Sequence, residues 1–72
     1  MAKRYFEFVG GTSAKFWEVQ QAGHDVTVRF GRLGTAGQTQ TKTFPDAGKA
    51  AQHANTLVNE KLRKGYVERA AA

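Results

Sequence analysis

The sequence predicts an α+β fold: an antiparallel β-sheet of about four strands with one C-terminal helix packed across it. Three observations carry that expectation. Over the first 44 residues, short segments rich in aromatic residues, Val and Thr alternate with turn signals. After Phe44 the apolar spacing changes from two to three and four. The chain has 72 residues, room for one core and no more.

Four segments read as strands, 3–9, 15–21, 26–31 and 38–44. Between them stand Gly10-Gly11-Thr12-Ser13, Ala22-Gly23-His24-Asp25 and Gly34-Thr35-Ala36-Gly37. Connections this short pair consecutive strands as antiparallel hairpins. Alternation assigns the faces. Phe6 and Phe8 share one side, as do Trp17 and Val19, and as do Val26, Val28 and Phe30. Trp17 and Val19 are expected in the core. Arg29 falls on the face opposite Phe30. The fourth strand is polar on both faces until Phe44, so it is the least buried or an edge, and its pattern leaves Lys42 on either side.

The helix follows from 46 to 64. Asp46 is a good N-cap, because its carboxylate can accept from the free amides of the first turn. Ala47, Ala50, Ala51, Ala54, Leu57, Val58 and Leu62 form one apolar stripe, which puts His53 on the polar side. Lys61, Arg63 and Lys64 complement the helix dipole in the last turn, and Gly65 supplies a left-handed C-cap. Residues 66–68 can return as a short strand. The expected division is a single domain over 1–72, with its core at about 5–68 and a frayed tail at 69–72.

Composition narrows the classes. There is no Cys, which excludes disulfides and thiolate zinc sites. Five Phe, two Tyr and one Trp supply a core and argue against disorder. No apolar run approaches the ~18 residues of a membrane span, and no signal peptide is evident, so the expected location is cytoplasmic with no membrane partner. Lys and Arg outnumber Asp and Glu by 11 to 6, a formal charge of +5 that attracts polyanions.

Catalysis finds no constellation. His24 lies in a turn, His53 on the helix, and Ser13 in a Gly-rich turn. The carboxylates Glu7, Glu18, Asp25, Asp46, Glu60 and Glu68 form no acid–base or metal-ligand pattern. A non-enzyme without metal or cofactor is therefore expected.

Three stretches converge on a known pattern. Lys15-Phe16-Trp17-Glu18-Val19 precedes a hairpin and then Val26-Thr27-Val28-Arg29-Phe30-Gly31-Arg32-Leu33-Gly34. The Gln38 to Phe44 strand and the helix follow, ending in Lys61-Leu62-Arg63-Lys64-Gly65-Tyr66. This succession, from about Tyr5 to Glu68, resembles the WGR domain family, including short bacterial members. One departure stands out: Phe30 replaces the signature Trp. In the poly(ADP-ribose) polymerases the family's domain contacts DNA at a strand break, with the signature Trp and Arg at that surface. The resemblance therefore implies DNA as a partner. The polymerase domains also contact neighbouring domains, so a protein partner is the alternative.

The residues expected to bind nucleic acid are Lys15, Phe30, Gly31, Arg32 and Lys42. Phe30 has two readings, a stacking surface for a base or sugar, or a core residue beside Val26 and Val28. Gly31 either admits a close ligand or marks a strand end. Arg32 offers a planar fork for phosphate, or a solvated surface charge. Lys15 matches a basic position of the DNA-binding relatives. The Gly34 to Gly37 loop reads as a hairpin turn first and as a phosphate cradle second, without the Lys of a Walker loop.

Overall fold

The computed structural model describes residues 3–69. Its elements are β1 (Arg4–Gly10), β2 (Ser13–Ala22), β3 (Asp25–Arg32), β4 (Gln38–Thr43), α1 (Ala47–Arg63) and β5 (Val67–Arg69). The strands form one sheet in the order β4-β3-β2-β1-β5, antiparallel at every pairing. The expected α+β architecture is present, with five strands where about four were expected.

The first two hairpins are tighter than the turn signals suggest. Gly10 pairs with Ser13 and Ala22 with Asp25, leaving two residues in each turn. Gly11 and Gly23, the first residue of each pair, adopt φ of 57° and 59°. That position favours Gly in hairpin turns, because residues with a Cβ rarely adopt a positive φ.

Asp46 caps α1 by accepting a hydrogen bond from the Lys49 amide at 2.7 Å. At the other end Gly65 takes φ 99°. The Tyr66 amide donates to Lys61 O and the Gly65 amide to Leu62 O, the paired bonds of a Schellman motif. This reversal aims the chain back at β1, where β5 pairs Val67 with Glu7, Glu68 with Phe6 and Arg69 with Tyr5. Arg69 thus belongs to the sheet and not to the expected tail; the rest of that tail, 70–72, lies outside the described residues. Tyr66 stays out of the strand and tilts its ring against Phe8 at 5.5 Å.

The core lies between α1 and one face of the sheet. It comprises Phe6, Trp17, Val19, Val26, Ala50, Ala54 and Val58, with Val28, Phe30, Phe44, Leu57 and Tyr66 packed around it. The two alanines let the helix approach closely. The apolar stripe is narrower than its residue types suggest, for Leu62 is 47% exposed. Each four-residue step overshoots a full turn by about 40°, so the stripe that starts at Ala50 has rotated roughly 120° by Leu62. The same geometry brings His53 off the polar side: it is half-buried, its ring 4.8 Å from that of Phe44.

The other face of the sheet carries a second, smaller cluster. Phe16 is buried there, stacked on Tyr5 at 6.0 Å and capped by the Arg29 guanidinium at 4.4 Å. Arg29 also donates to Glu18 at 2.5 Å and to Ala36 O at 2.7 Å, which draws the β3–β4 loop over this face. Gly37 closes the lid against Phe16 and Gly31: a Cβ on Gly31 would stand 2.8 Å from Gly37 Cα.

Candidate nucleic-acid interface

Register decides which side chains meet. On the face that α1 covers, Lys15 is opposite Arg32, Trp17 opposite Phe30, and Val26 opposite Lys42. Lys15, Phe30, Arg32 and Lys42 therefore share one face, which settles the side of Lys42 left open by its polar strand. The helix does not cover all of that face. Between α1 and β4 runs an open groove of about 1090 Å³, lined among others by Trp17, Val28, Phe30, Gln40, His53 and Leu57. Lys15, Arg32 and Lys42 line it too, as does Lys61 from the helix.

Phe30 combines core packing with a place on the groove. It packs on the core beside Trp17 and remains half-buried, with part of its surface on the groove. Gly31 alternates away from Phe30 and Arg32, and the side it presents to the opposite face is occupied by Gly37. The glycine of the tripeptide is thus required by packing. The Gly34 to Gly37 loop lies with it, closed on itself by hydrogen bonds from the Thr35 amide and hydroxyl to Arg32 O. It forms a connection between strands and not a cradle beside Phe30.

The charges are segregated. Four salt bridges join Lys3 and Arg29 to Glu18, Arg4 to Glu68, and Arg69 to Glu7. They tie together β1, β5 and the face away from the helix. Among the described residues, Lys15, Arg32, Lys42 and Lys61 make no salt bridge. The lysines rest on rings instead: Lys15 Nζ is 5.3 Å from the Phe8 centroid, Lys42 Nζ 5.3 Å from Phe44, and Lys61 Nζ 5.6 Å from Trp17 and 5.3 Å from Tyr66. Ring faces hold an ammonium in place without neutralising it.

Lys61 was visible in the sequence only as a helix-terminal cation. Its position four and eight residues after Leu57 and His53 is the signal that places it on the groove. Burial pushes its ammonium below the usual lysine range, and the nearby charges of Lys64 and Lys15 add to this against Glu60. A bound anion would relieve that strain. Glu18 shows the opposite balance. Burial raises its carboxyl, but the hydrogen bond and charge of Arg29, with Lys3, outweigh burial and leave it below the usual carboxylate range.

Among the described residues, no three His, Asp or Glu side chains come together in a way that could hold a metal ion. No described helix is long and apolar enough to cross a membrane.

Comparison with known proteins agrees with this architecture. The WGR domain model matches residues 2–72. Protein YehF of Escherichia coli K12 is 43% identical over 67 residues, covering 93% of this chain and 24% of YehF. The uncharacterized protein YfeS of the same organism is 33% identical over 66 residues, covering 92% and 27%. A crystal structure of a Bacteroides fragilis protein superimposes with a TM-score of 0.94 at 49% identity, over 96% of this chain and 20% of that one. The chain spans between a fifth and about a quarter of the length of these relatives. With its strand order, its single covering helix and the Phe30-Gly31-Arg32 strand end, the chain belongs to the WGR domain family.

Proposed function

We propose that the protein is a cytoplasmic, non-catalytic binding module that holds DNA in the groove between α1 and β4. The observation that carries the reading is the segregation of charge. Among the described residues, four cations line one aromatic-floored groove with no salt bridge to a carboxylate, while the glutamates of β1, β2 and β5 are engaged elsewhere. Such a surface releases counterions from a phosphate backbone and binds in proportion to the phosphates it meets. Arg32 and Lys15 supply adjacent phosphate contacts, Lys61 and Lys42 extend them, and Phe30 offers a ring to a base or sugar. Gly31 serves by allowing the fold that presents its two neighbours. Sequence discrimination is expected to be weak, because phosphate contacts position without specifying.

Fluorescence anisotropy with nicked, blunt-ended and single-stranded DNA at low salt tests the reading. Binding that weakens about ten-fold in Arg32→Ala supports it. No binding to any of the three, or an affinity indifferent to Arg32, refutes it.

A protein partner is the second reading, and one feature favours it. All six residues of β4 are exposed and the strand forms the sheet edge, free to accept an added strand. A partner recovered by pull-down after nuclease treatment supports this reading; recovery abolished by nuclease counts against it.

A further inference from the structure

On the helix-covered face, the side chains of β2, β3 and β4 fall into four transverse rows. Lys15 stands with Arg32; Trp17 with Phe30 and Gln38; Val19 with Val28 and Gln40; Gln21 with Val26 and Lys42. Rows are two residues apart, roughly 6.6 Å along a strand, so the three intervals from the Arg32 row to the Lys42 row span about 20 Å. The helix runs alongside as a wall, with His53, Leu57 and Lys61 at steps of about 6 Å. His53 meets Phe44 towards the Lys42 end, and Lys61 lies over Trp17 towards the Lys15 end. The groove is thus a channel with unequal basic ends: Lys15, Arg32 and Lys61 at one, Lys42 alone at the other. Phe30 lies on its floor between them.

We propose that this channel is fitted to a single-stranded DNA segment of about three to four nucleotides. One or two phosphates lie among Lys15, Arg32 and Lys61, another lies near Lys42, and an unpaired base stacks on Phe30. The proposal rests on the nucleic-acid reading above and fixes strandedness and length.

Length is the first argument. An unstacked strand extends to about twice the ~3.4 Å rise of a stacked one, so three such steps match the span between the basic ends. Access is the second. A duplex keeps its interior bases paired and stacked, so a recessed ring on a groove floor is met more readily by an unpaired base. Shape is the third. At about 1090 Å³ and open to solvent, the groove has room for a segment of polymer that continues past its ends.

The test is an anisotropy titration of the full chain with thymidine oligomers of two, four and eight nucleotides and with a blunt hairpin duplex, repeated for Lys42→Gln and Arg32→Gln. Affinity is expected to rise about ten-fold from two to four nucleotides and to change little beyond. The eight-mer should bind more tightly than the duplex. Lys42→Gln should weaken the four- and eight-mers several-fold and leave the two-mer unchanged, whereas Arg32→Gln weakens all three. The salt slope for the four-mer should be about −1.4 to −2.1, near −0.7 for each of the two or three phosphates met. A duplex bound as tightly as the eight-mer, with sensitivity to Arg32, overturns the single-strand proposal and leaves the nucleic-acid reading standing. Equal losses in Lys42→Gln on the two- and eight-mers overturn the assigned length. The absence of Arg32-sensitive binding to any of these DNAs overturns both.

Discussion

Lys15 and Arg32 face each other directly across β2 and β3, on the same side of the sheet, and among the described residues neither is joined to a carboxylate. Like charges in that position destabilise a strand pair by about 0.2–1 kcal/mol. Arg32→Gln should therefore raise the Tm of the free protein at low salt by about 1 to 6 °C while weakening the proposed DNA binding. The gain should shrink as salt screens the pair. Thermal melts at two ionic strengths, with and without DNA, check both halves; an Arg32→Gln protein that melts lower at low salt contradicts the repulsion.

The middle of the tripeptide should behave in the opposite way. A Cβ at position 31 falls 2.8 Å from Gly37 Cα, which is backbone and cannot rotate aside. Gly31→Ala is expected to lower stability by about 1–3 kcal/mol, seen as a lower urea midpoint at unchanged slope. Gly37→Ala should lose more, because its Cβ would lie 2.4 Å from Phe30 O at a φ of 72°.

The strands, the Asp46 cap and the Gly65 reversal were legible because each is written locally, in alternation, a side-chain acceptor and a missing Cβ. What could not be read depends on contacts between distant segments. β5 has three residues, and only its return to β1 makes it a strand. Phe16 looks like an outward residue until Arg29 and Gly37 cover it. Lys42 lies in a strand polar on both sides, where alternation carries no information. Of the groove residues, Phe30 and Arg32 stand in the family pattern, whereas Lys61 joins them only through the packing of α1 on Trp17, a contact between distant segments.

Phe30 contributes both packing and an aromatic surface, and two substitutions separate these. Phe30→Leu retains much of the apolar volume and should lower stability by less than about 1.5 kcal/mol. It should weaken single-strand binding five-fold or more, since it removes the stacking face. Phe30→Trp, which restores the residue type of the family signature, should strengthen binding several-fold. Parallel urea and anisotropy titrations read the two effects; equal affinities for the three residues would deny stacking.

Acid should act through the opposite face. A carboxyl held lower in the folded than in the unfolded chain contributes stability that is complete above its unfolded value and is lost as pH falls through its folded value. Glu18 is such a group, held by Arg29 and Lys3 against burial. Urea midpoints should therefore decline as pH drops through and below the usual carboxylate range. Glu18→Gln should flatten that decline and lower stability at neutral pH by about 1–2 kcal/mol, since Arg29 is partly exposed. A decline as steep in Glu18→Gln as in the parent would point to another carboxylate.

Alkali should act on binding. Burial, then Lys64 and Lys15, hold Lys61 below the usual lysine range, so its charge is lost at a lower pH than an ordinary lysine's. The proposed affinity for DNA is expected to fall as rising pH removes the Lys61 charge. Lys61→Arg should move that fall upward, because guanidinium stays charged. Anisotropy across an alkaline series checks it, and an unchanged profile in Lys61→Arg would exclude Lys61 from the contact.

The small cluster of Tyr5, Phe16, Glu18 and Arg29 has a consequence for how this domain tolerates change. It braces β1, β2 and β3 from behind, on the side away from the groove. Substitutions there and substitutions of groove cations share no partner, so their free-energy effects should add. Lineages can then exchange the groove charges of this domain one at a time, drawing on a reserve of stability held on the reverse of the sheet.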